Sequence, residues 1–99
     1  MKSGCKILWT EHALNELYDT YEYLELHFTE RELKNLSTEL DRTLSLISQN
    51  PYLFPISELE GFRRVVVKEF NTLYYREKGD YIEILSFFSN RQNPDKRKI

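Results

Sequence analysis

The sequence predicts an α+β fold in the order β-α-α-β-β-β, with two antiparallel helices packed on a small twisted antiparallel sheet. Two stretches in the first half repeat apolar residues every three or four positions, which is typical of amphipathic helices. Most of the second half is instead rich in Val, Ile, Thr, Tyr and Phe, and turn residues separate its runs. We therefore expect a helical layer and a sheet layer within one domain, residues 1–99.

The first strand and the first helix are predicted before Phe28. The apolar run from Ile7 to Trp9 indicates a strand. Thr10 suits the N-cap of the helix, because its hydroxyl can accept a hydrogen bond from an unpaired backbone N–H of the first turn. The helical period then continues through Ala13, Leu14, Leu17, Tyr18, Tyr21 and Leu24.

The second helix is predicted between Thr29 and Asn50. Thr29 and Glu32 have the spacing of a capping box, in which the side chain of each residue accepts a hydrogen bond from the backbone N–H of the other. Pro51 ends the helix, since proline disfavours helical geometry in the residue before it. The apolar stripe consists of Leu33, Leu36, Leu40, Leu44 and Ile47.

Three further strands follow a loop that contains Pro51 and Pro55. They are predicted at Arg63–Val67, Thr72–Glu77 and Tyr81–Phe88. Asn71 is the predicted turn residue of the first connection, and Lys78-Gly79-Asp80 forms the second. Such tight connections require antiparallel neighbours, so the three strands form a meander.

Composition limits the class of protein. The 99 residues are 40% hydrophobic and 30% charged, which is typical of a globular chain. A single cysteine, Cys5, excludes an internal disulfide and favours a reducing compartment. The sequence contains no apolar run long enough to cross a membrane and no apolar leader after Met1, so we expect a cytoplasmic protein without a membrane partner.

Charge is distributed unevenly along the chain. Residues 1–60 contain five basic and eleven acidic side chains, whereas residues 61–99 contain nine basic and five acidic ones. The formal charges of the two parts are therefore −6 and +4, within a net charge of −2. Such a chain can present a basic face to an anionic partner, although solvated surface charge would give the same totals.

Sequence signatures of common catalytic sites are absent. The chain has no GxSxG, P-loop, GxGxxG or CxxC pattern. His12 and His27 lie fifteen residues apart without a cysteine or carboxylate constellation, so we expect no metal site and no cofactor. The carboxylates of the first helix are interpreted as a solvated face: Glu11, Glu16, Asp19, Glu22 and Glu25.

Four arginines in the second half are the candidate residues for anion or target binding. Arg63 and Arg64 begin one predicted strand, Arg76 lies near the end of the next, and Arg91 follows the last. A guanidinium remains charged at any accessible pH and binds carboxylate or phosphate with paired donors. The alternative is that these arginines pair with nearby glutamates, namely Glu58, Glu60, Glu69, Glu77 or Glu83.

An ordered set of short motifs runs from about residue 5 to residue 96. It consists of Trp9-Thr10, the Pro51–Pro55 loop, Gly61-Phe62-Arg63-Arg64, Leu73-Tyr74-Tyr75-Arg76, Ile84-Leu85 and Asn90-Arg91-Gln92-Asn93-Pro94. In this order and at this length, the set resembles the RelE/ParE superfamily of toxins from bacterial type II toxin–antitoxin systems. The resemblance implies a cognate antitoxin, which we expect an adjacent gene to encode.

The superfamily acts on two kinds of target. A RelE-like toxin cuts messenger RNA on the ribosome, and this resemblance implies Arg76, Arg91 and Lys68 as catalytic residues, with Glu69 as another possible base. The acid that such toxins use near the C-terminus is missing, since Gln92 and Asn93 stand there and neither can donate a proton as an acid. Its possible replacements are Tyr74, Tyr75 and Tyr81.

A ParE-like toxin inhibits DNA gyrase, and this is the preferred interpretation. The isoelectric point of about 5.7 favours it, because a nuclease that binds ribosomal RNA is expected to be basic. The alternatives are a RelE-like endoribonuclease and a non-toxic protein-binding module.

Overall fold

A computed structural model describes residues 4–56 and 61–89. Their helices and strands follow the predicted order β-α-α-β-β-β, and the predicted α+β fold is confirmed. The elements are β1 (Lys6–Trp9), α1 (Glu11–His27), α2 (Glu30–Gln49), β2 (Arg63–Val67), β3 (Asn71–Lys78) and β4 (Tyr81–Ser89).

Both predicted helix caps are present. The Thr10 hydroxyl accepts the backbone N–H of Ala13 at 3.2 Å and also donates to the carbonyl of Ile84 at 2.9 Å. One side chain therefore begins α1 and attaches that helix to β4. The Thr29 hydroxyl accepts the N–H of Glu32 and begins α2 in the same way.

The sheet is mixed, whereas the sequence predicted antiparallel pairing throughout. Its strand order is β1-β4-β3-β2, and the meander of β2, β3 and β4 is antiparallel as predicted. β1 instead pairs parallel to β4, with Ile7 opposite Ile82 and Trp9 opposite Ile84. A tight turn sets the direction only of the two strands that it joins, and β1 leads into α1 rather than into another strand.

The connection between β2 and β3 also differs from the prediction. Lys68, Glu69 and Phe70 form the turn, and Asn71 is the first residue of β3. Asn71 is buried, and its side-chain amide donates to the carbonyl of Val67 at 3.0 Å. Lys68 and Glu69 have φ of 57° and 72°, and the N–H of Phe70 bonds the carbonyl of Lys68, which is the geometry of a γ-turn.

The core lies between the two helices and one face of the sheet. Leu36, Ile47 and Tyr75 are among its least exposed side chains. The remaining buried apolar residues are Ala13, Leu17, Leu24, Leu40, Val65, Val67, Leu73, Ile82, Ile84 and Phe87. Within the described residues, both helices pack on this one face of the sheet and neither covers the opposite face.

A β-bulge in β4 keeps both ends of that strand in contact with the core. Tyr74 lies opposite Ser86 but Tyr75 lies opposite Ile84, so Leu85 is an extra residue without a partner in β3. The extra residue changes the alternation, with the result that Ile84 and Phe87 are both buried.

Glu16 of α1 binds this bulge, so its predicted place on a solvated face was wrong. Its Oε1 accepts the backbone N–H of Phe87 at 2.8 Å and the hydroxyl of Ser86 at 2.7 Å. His12 lies 3.4 Å from its other oxygen, and the Glu16 side chain is only 25% exposed. The carboxylate therefore satisfies a backbone donor at an irregular point of the sheet.

Within residues 4–56 and 61–89, no helix is long and apolar enough to cross a membrane.

We expect Glu16→Ala to lower the free energy of unfolding by about 2–3 kcal/mol, because it removes two hydrogen bonds to a charged acceptor. Glu16→Gln keeps an acceptor oxygen, so its loss should be smaller. Urea unfolding would measure both changes, with Glu22→Ala, an exposed position of the same helix, as the control. Equal stability of the Glu16→Ala and Glu22→Ala variants would contradict a role of Glu16 in holding the bulge.

Candidate functional site

The face of the sheet opposite the helices is the candidate functional site. We call it the open face and define it by side chains of all four strands: Lys6, Leu8, Arg64, Val66, Tyr74, Arg76, Lys78, Tyr81 and Glu83. Alternation places these residues opposite the core, since their strand neighbours Val65, Leu73 and Ile82 are buried. Leu8 and Val66 are 45% and 55% exposed, so the face is partly apolar.

Arg64 and Arg76 share the open face. Arg64 lies opposite Tyr74 in the β2–β3 register, which places its Cβ about 7–8 Å from that of Arg76, the diagonal neighbour. The Arg64 side chain is exposed and forms no ion pair with residues 4–56 or 61–89. Two of the four predicted arginines thus lie close enough to contact one ligand.

Arg76 is held by two neighbours. Its Nε donates to Oε1 of Glu83 at 2.9 Å, across the β3–β4 pair. Its guanidinium carbon lies 5.3 Å from the ring centroid of Phe62, within the range of a cation–π contact. The side chain is still 40% exposed, so the guanidinium remains accessible from the open face.

Arg63 has a structural role, although the sequence predicted it as an anion-binding residue. Its Nε pairs with Oε2 of Glu77 at 2.8 Å, and one terminal nitrogen donates to the carbonyl of Phe54 at the same distance. It also lies over the ring of Tyr52, at 5.1 Å from the centroid. The Arg63 side chain is only 14% exposed, and its contacts connect β3 with the loop that precedes β2.

Of the predicted RelE-like catalytic residues, the two that lie in the described part of the chain, Lys68 and Arg76, are not brought together. Lys68 lies in the β2–β3 turn, whereas Arg76 lies five residues along β3 from Asn71, a separation of roughly 17 Å along the strand. Glu69 occupies the same turn as Lys68. The other predicted residues of this site, Arg91 with Gln92 and Asn93, lie outside the described residues.

Tyr75 belongs to the core rather than to a catalytic site. It is fully buried, and its hydroxyl donates to the carbonyl of Pro51 at 2.8 Å. Burial raises the pKa of the phenol above its usual value, and the nearby Arg63 opposes this only in part. Tyr74 and Tyr81, the other predicted replacements for an acid, are half-buried on the open face.

Sequence reasoning missed several members of the site. Lys6 and Lys78 both lie opposite Tyr81, one from β1 and one from β3, so the two lysines occupy positions on either side of the same tyrosine. The position of Lys6 on the open face follows from the parallel pairing of β1 with β4. No turn residue in the sequence indicates that pairing. In the described residues, no cluster of His, Cys, Asp and Glu could hold a metal ion.

Comparisons with known proteins identify relatives of this chain. Residues 7–94 match the family model described as the ParE toxin of the type II toxin–antitoxin system parDE. A solved structure of the chromosomal ParDE toxin–antitoxin system from P. aeruginosa is similar, with a TM-score of 0.72 and 19% identity over 86% of this chain and 95% of that one.

A second solved structure, a YoeB/ParE toxin from Agrobacterium tumefaciens, has a TM-score of 0.58 and 14% identity over 85% of this chain and 96% of that one. No curated protein matches the chain by sequence. At these identities, the two structures establish likeness of fold.

Two adjacent arginines should respond differently to truncation. Arg63→Ala should lower the free energy of unfolding by about 2–3 kcal/mol, because it leaves the Glu77 carboxylate and a loop carbonyl without their charged donor. Arg64→Ala should change it by no more than about 0.5 kcal/mol, as expected for a surface position. Chemical unfolding of both variants measures the difference, and equal losses would contradict the assignment of the two side chains to opposite faces.

Removal of the Tyr75 hydroxyl should have a pH-dependent effect. Tyr75→Phe should cost about 1 kcal/mol near neutral pH, because the carbonyl of Pro51 loses its donor. Above about pH 10, a tyrosine in the unfolded chain ionises while the raised pKa keeps native Tyr75 neutral, so this residue's contribution to stability falls as pH rises.

The deficit of the Tyr75→Phe variant should therefore narrow above about pH 10, as measured by urea unfolding between neutral and alkaline pH. Tyr18→Phe, at an exposed position, is the matched control. A deficit that stays constant over this range would show that burial does not shift the titration of Tyr75.

Proposed function

The chain belongs to the ParE toxin family of type II toxin–antitoxin systems, and from this premise we propose that it is a toxin that inhibits DNA gyrase. We place its action in the cytoplasm, where an antitoxin encoded by an adjacent gene would hold it inactive. The single observation that carries the choice of target is the open face, where Arg64 and Arg76 lie side by side among apolar and aromatic residues.

The composition of the open face supports a protein target. Arginine and tyrosine are enriched at protein–protein interfaces, and the centre of such an interface is more apolar than the rest of the protein surface. The face presents Arg64, Tyr74 and Arg76 together with the exposed Leu8 and Val66. A guanidinium pair of this kind can bind carboxylates of a protein surface through several donors.

The RelE-like alternative requires a different arrangement. Cleavage of RNA at the 2′-hydroxyl needs a base, an acid and cations around one phosphate, within hydrogen-bond reach of the reacting atoms. Lys68 lies at the opposite end of β3 from Arg76, and buried Tyr75 has a pKa that is raised rather than lowered. These placements favour a toxin that acts by binding over one that cleaves RNA.

The fold also suggests how an antitoxin would bind. β1 and β2 are the two edge strands of the described sheet, and among the described residues β2 is covered only at its beginning, where the N–H of Arg64 donates to the carbonyl of Pro55. Exposed strand edges and apolar side chains favour association with an extended or helical segment of another chain. The P. aeruginosa relative was solved as part of a ParDE system, which is consistent with such a partner here.

The proposal is tested by inducing the chain in a bacterial host without its antitoxin. DNA synthesis should fall before protein synthesis in pulse-labelling, and the purified chain should inhibit supercoiling by purified gyrase. The Arg64→Ala/Arg76→Ala variant should fold, as judged by circular dichroism, and lose at least about tenfold in inhibition if the two guanidinium contacts together supply about 1.4 kcal/mol or more. Arg42→Ala, at an exposed position of α2, is the matched control.

Other outcomes would identify the alternatives. If protein synthesis falls first and gyrase is unaffected, the chain is a RelE-like ribonuclease and the proposed target is wrong. If the unmodified chain inhibits neither process but binds the product of a neighbouring gene, it is a non-toxic binding module. Full activity of the double variant would exclude the arginine pair from the target contact.

A further inference from the structure

The ion pair between Arg76 and Glu83 leaves part of the arginine available. Only Nε of Arg76 bonds the carboxylate, and the structure gives its two terminal nitrogens no hydrogen-bond partner in residues 4–56 and 61–89. The Glu83 side chain is 24% exposed and that of Arg76 is 40% exposed, so Glu83 is the less exposed member of the pair. Glu83 thus fixes the orientation of Arg76, and the terminal nitrogens of Arg76 have no protein partner in the described part of the chain.

Glu83 also lowers the positive potential of the open face. Four cationic side chains lie on this face, namely Lys6, Arg64, Arg76 and Lys78, and Glu83 is the one carboxylate among them on the described strands. Glu83 lies opposite Leu8 of β1, whose side chain is 45% exposed. A chain of phosphates across this face would bring several negative charges near the carboxylate, and each would be repelled by it.

We propose that Glu83 is a specificity-determining residue of the open face, which positions Arg76 and disfavours nucleic acid, so that the face selects an acidic segment of a protein. This inference rests on the proposed function and names the chemistry of the partner: one or a few carboxylates beside apolar side chains. Such a segment contacts Arg64, the terminal nitrogens of Arg76 and the exposed aliphatic residues, and it brings fewer charges near Glu83 than a phosphate backbone does.

Glu83→Gln separates the two roles of the residue. Glutamine keeps an oxygen that can accept from Nε of Arg76, but it removes the negative charge. We expect the variant to bind a short fluorescent oligouridylate about five- to tenfold more tightly than the unmodified chain in fluorescence anisotropy at low salt, which corresponds to about 1 kcal/mol of removed repulsion. The gain should diminish as salt is raised, because phosphate contacts are screened.

Glu22→Gln is the matched control, since it makes the same change in net charge on α1, in the layer opposite the open face. The gain should be absent in this control and should be abolished when Arg76→Ala is combined with Glu83→Gln. If Glu83→Gln disrupts folding as judged by circular dichroism, Glu83→Thr, with a strand-forming residue, supplies the same test of charge.

Two outcomes would overturn the inference. Equal oligouridylate binding by the Glu83→Gln and Glu22→Gln variants would show that Glu83 has no local effect on anion binding. Tight binding by the unmodified chain, at the level of the Glu83→Gln variant, would make nucleic acid the occupant of the face. Neither measurement depends on toxicity or on gyrase, so failure of this inference and failure of the proposed function are distinguishable.

Discussion

The bulge at Leu85 is the constraint on which the arrangement of the sheet depends. A regular strand alternates its side chains, so Ile82 and Phe87 would point to opposite faces without an extra residue between them. The bulge turns both towards the core while Glu83 remains on the open face. Glu16 accepts the backbone N–H of Phe87, two residues beyond Leu85, so this irregular part of β4 is bound to α1.

The two faces of the sheet give neighbouring residues of one type different surroundings. The guanidinium of Arg63 binds Glu77 and the loop before β2, whereas Arg64 is exposed on the open face. Arg76 is intermediate, because it is paired with Glu83 and still accessible. The ion-pairing interpretation therefore applies to Arg63 and Arg76, whereas contact with a target is the proposal for Arg64 and Arg76.

Family membership and the open face support the proposed function at different levels. The match over residues 7–94 identifies the family, and the two solved structures establish the fold at low identity. The choice of gyrase over messenger RNA depends instead on the local arrangement: a mixed apolar and cationic face, with the candidate base Lys68 at the far end of β3. The negative charge of Glu83 adds to the choice of a protein target over a nucleic acid, because it disfavours binding of a polyanion to this face.

The sequence by itself determined the order of the elements, both helix caps and the antiparallel meander, because these depend on periodicity and on contacts between residues close in the chain. It also identified Arg64 and Arg76 as candidates. Only the tertiary structure decided the parallel pairing of β1, the bulge, the contacts of Glu16 and the burial of Arg63. Each of these depends on residues far apart in the chain, such as Glu16 and Phe87, and local patterns carry no information about which distant backbone groups a side chain will meet.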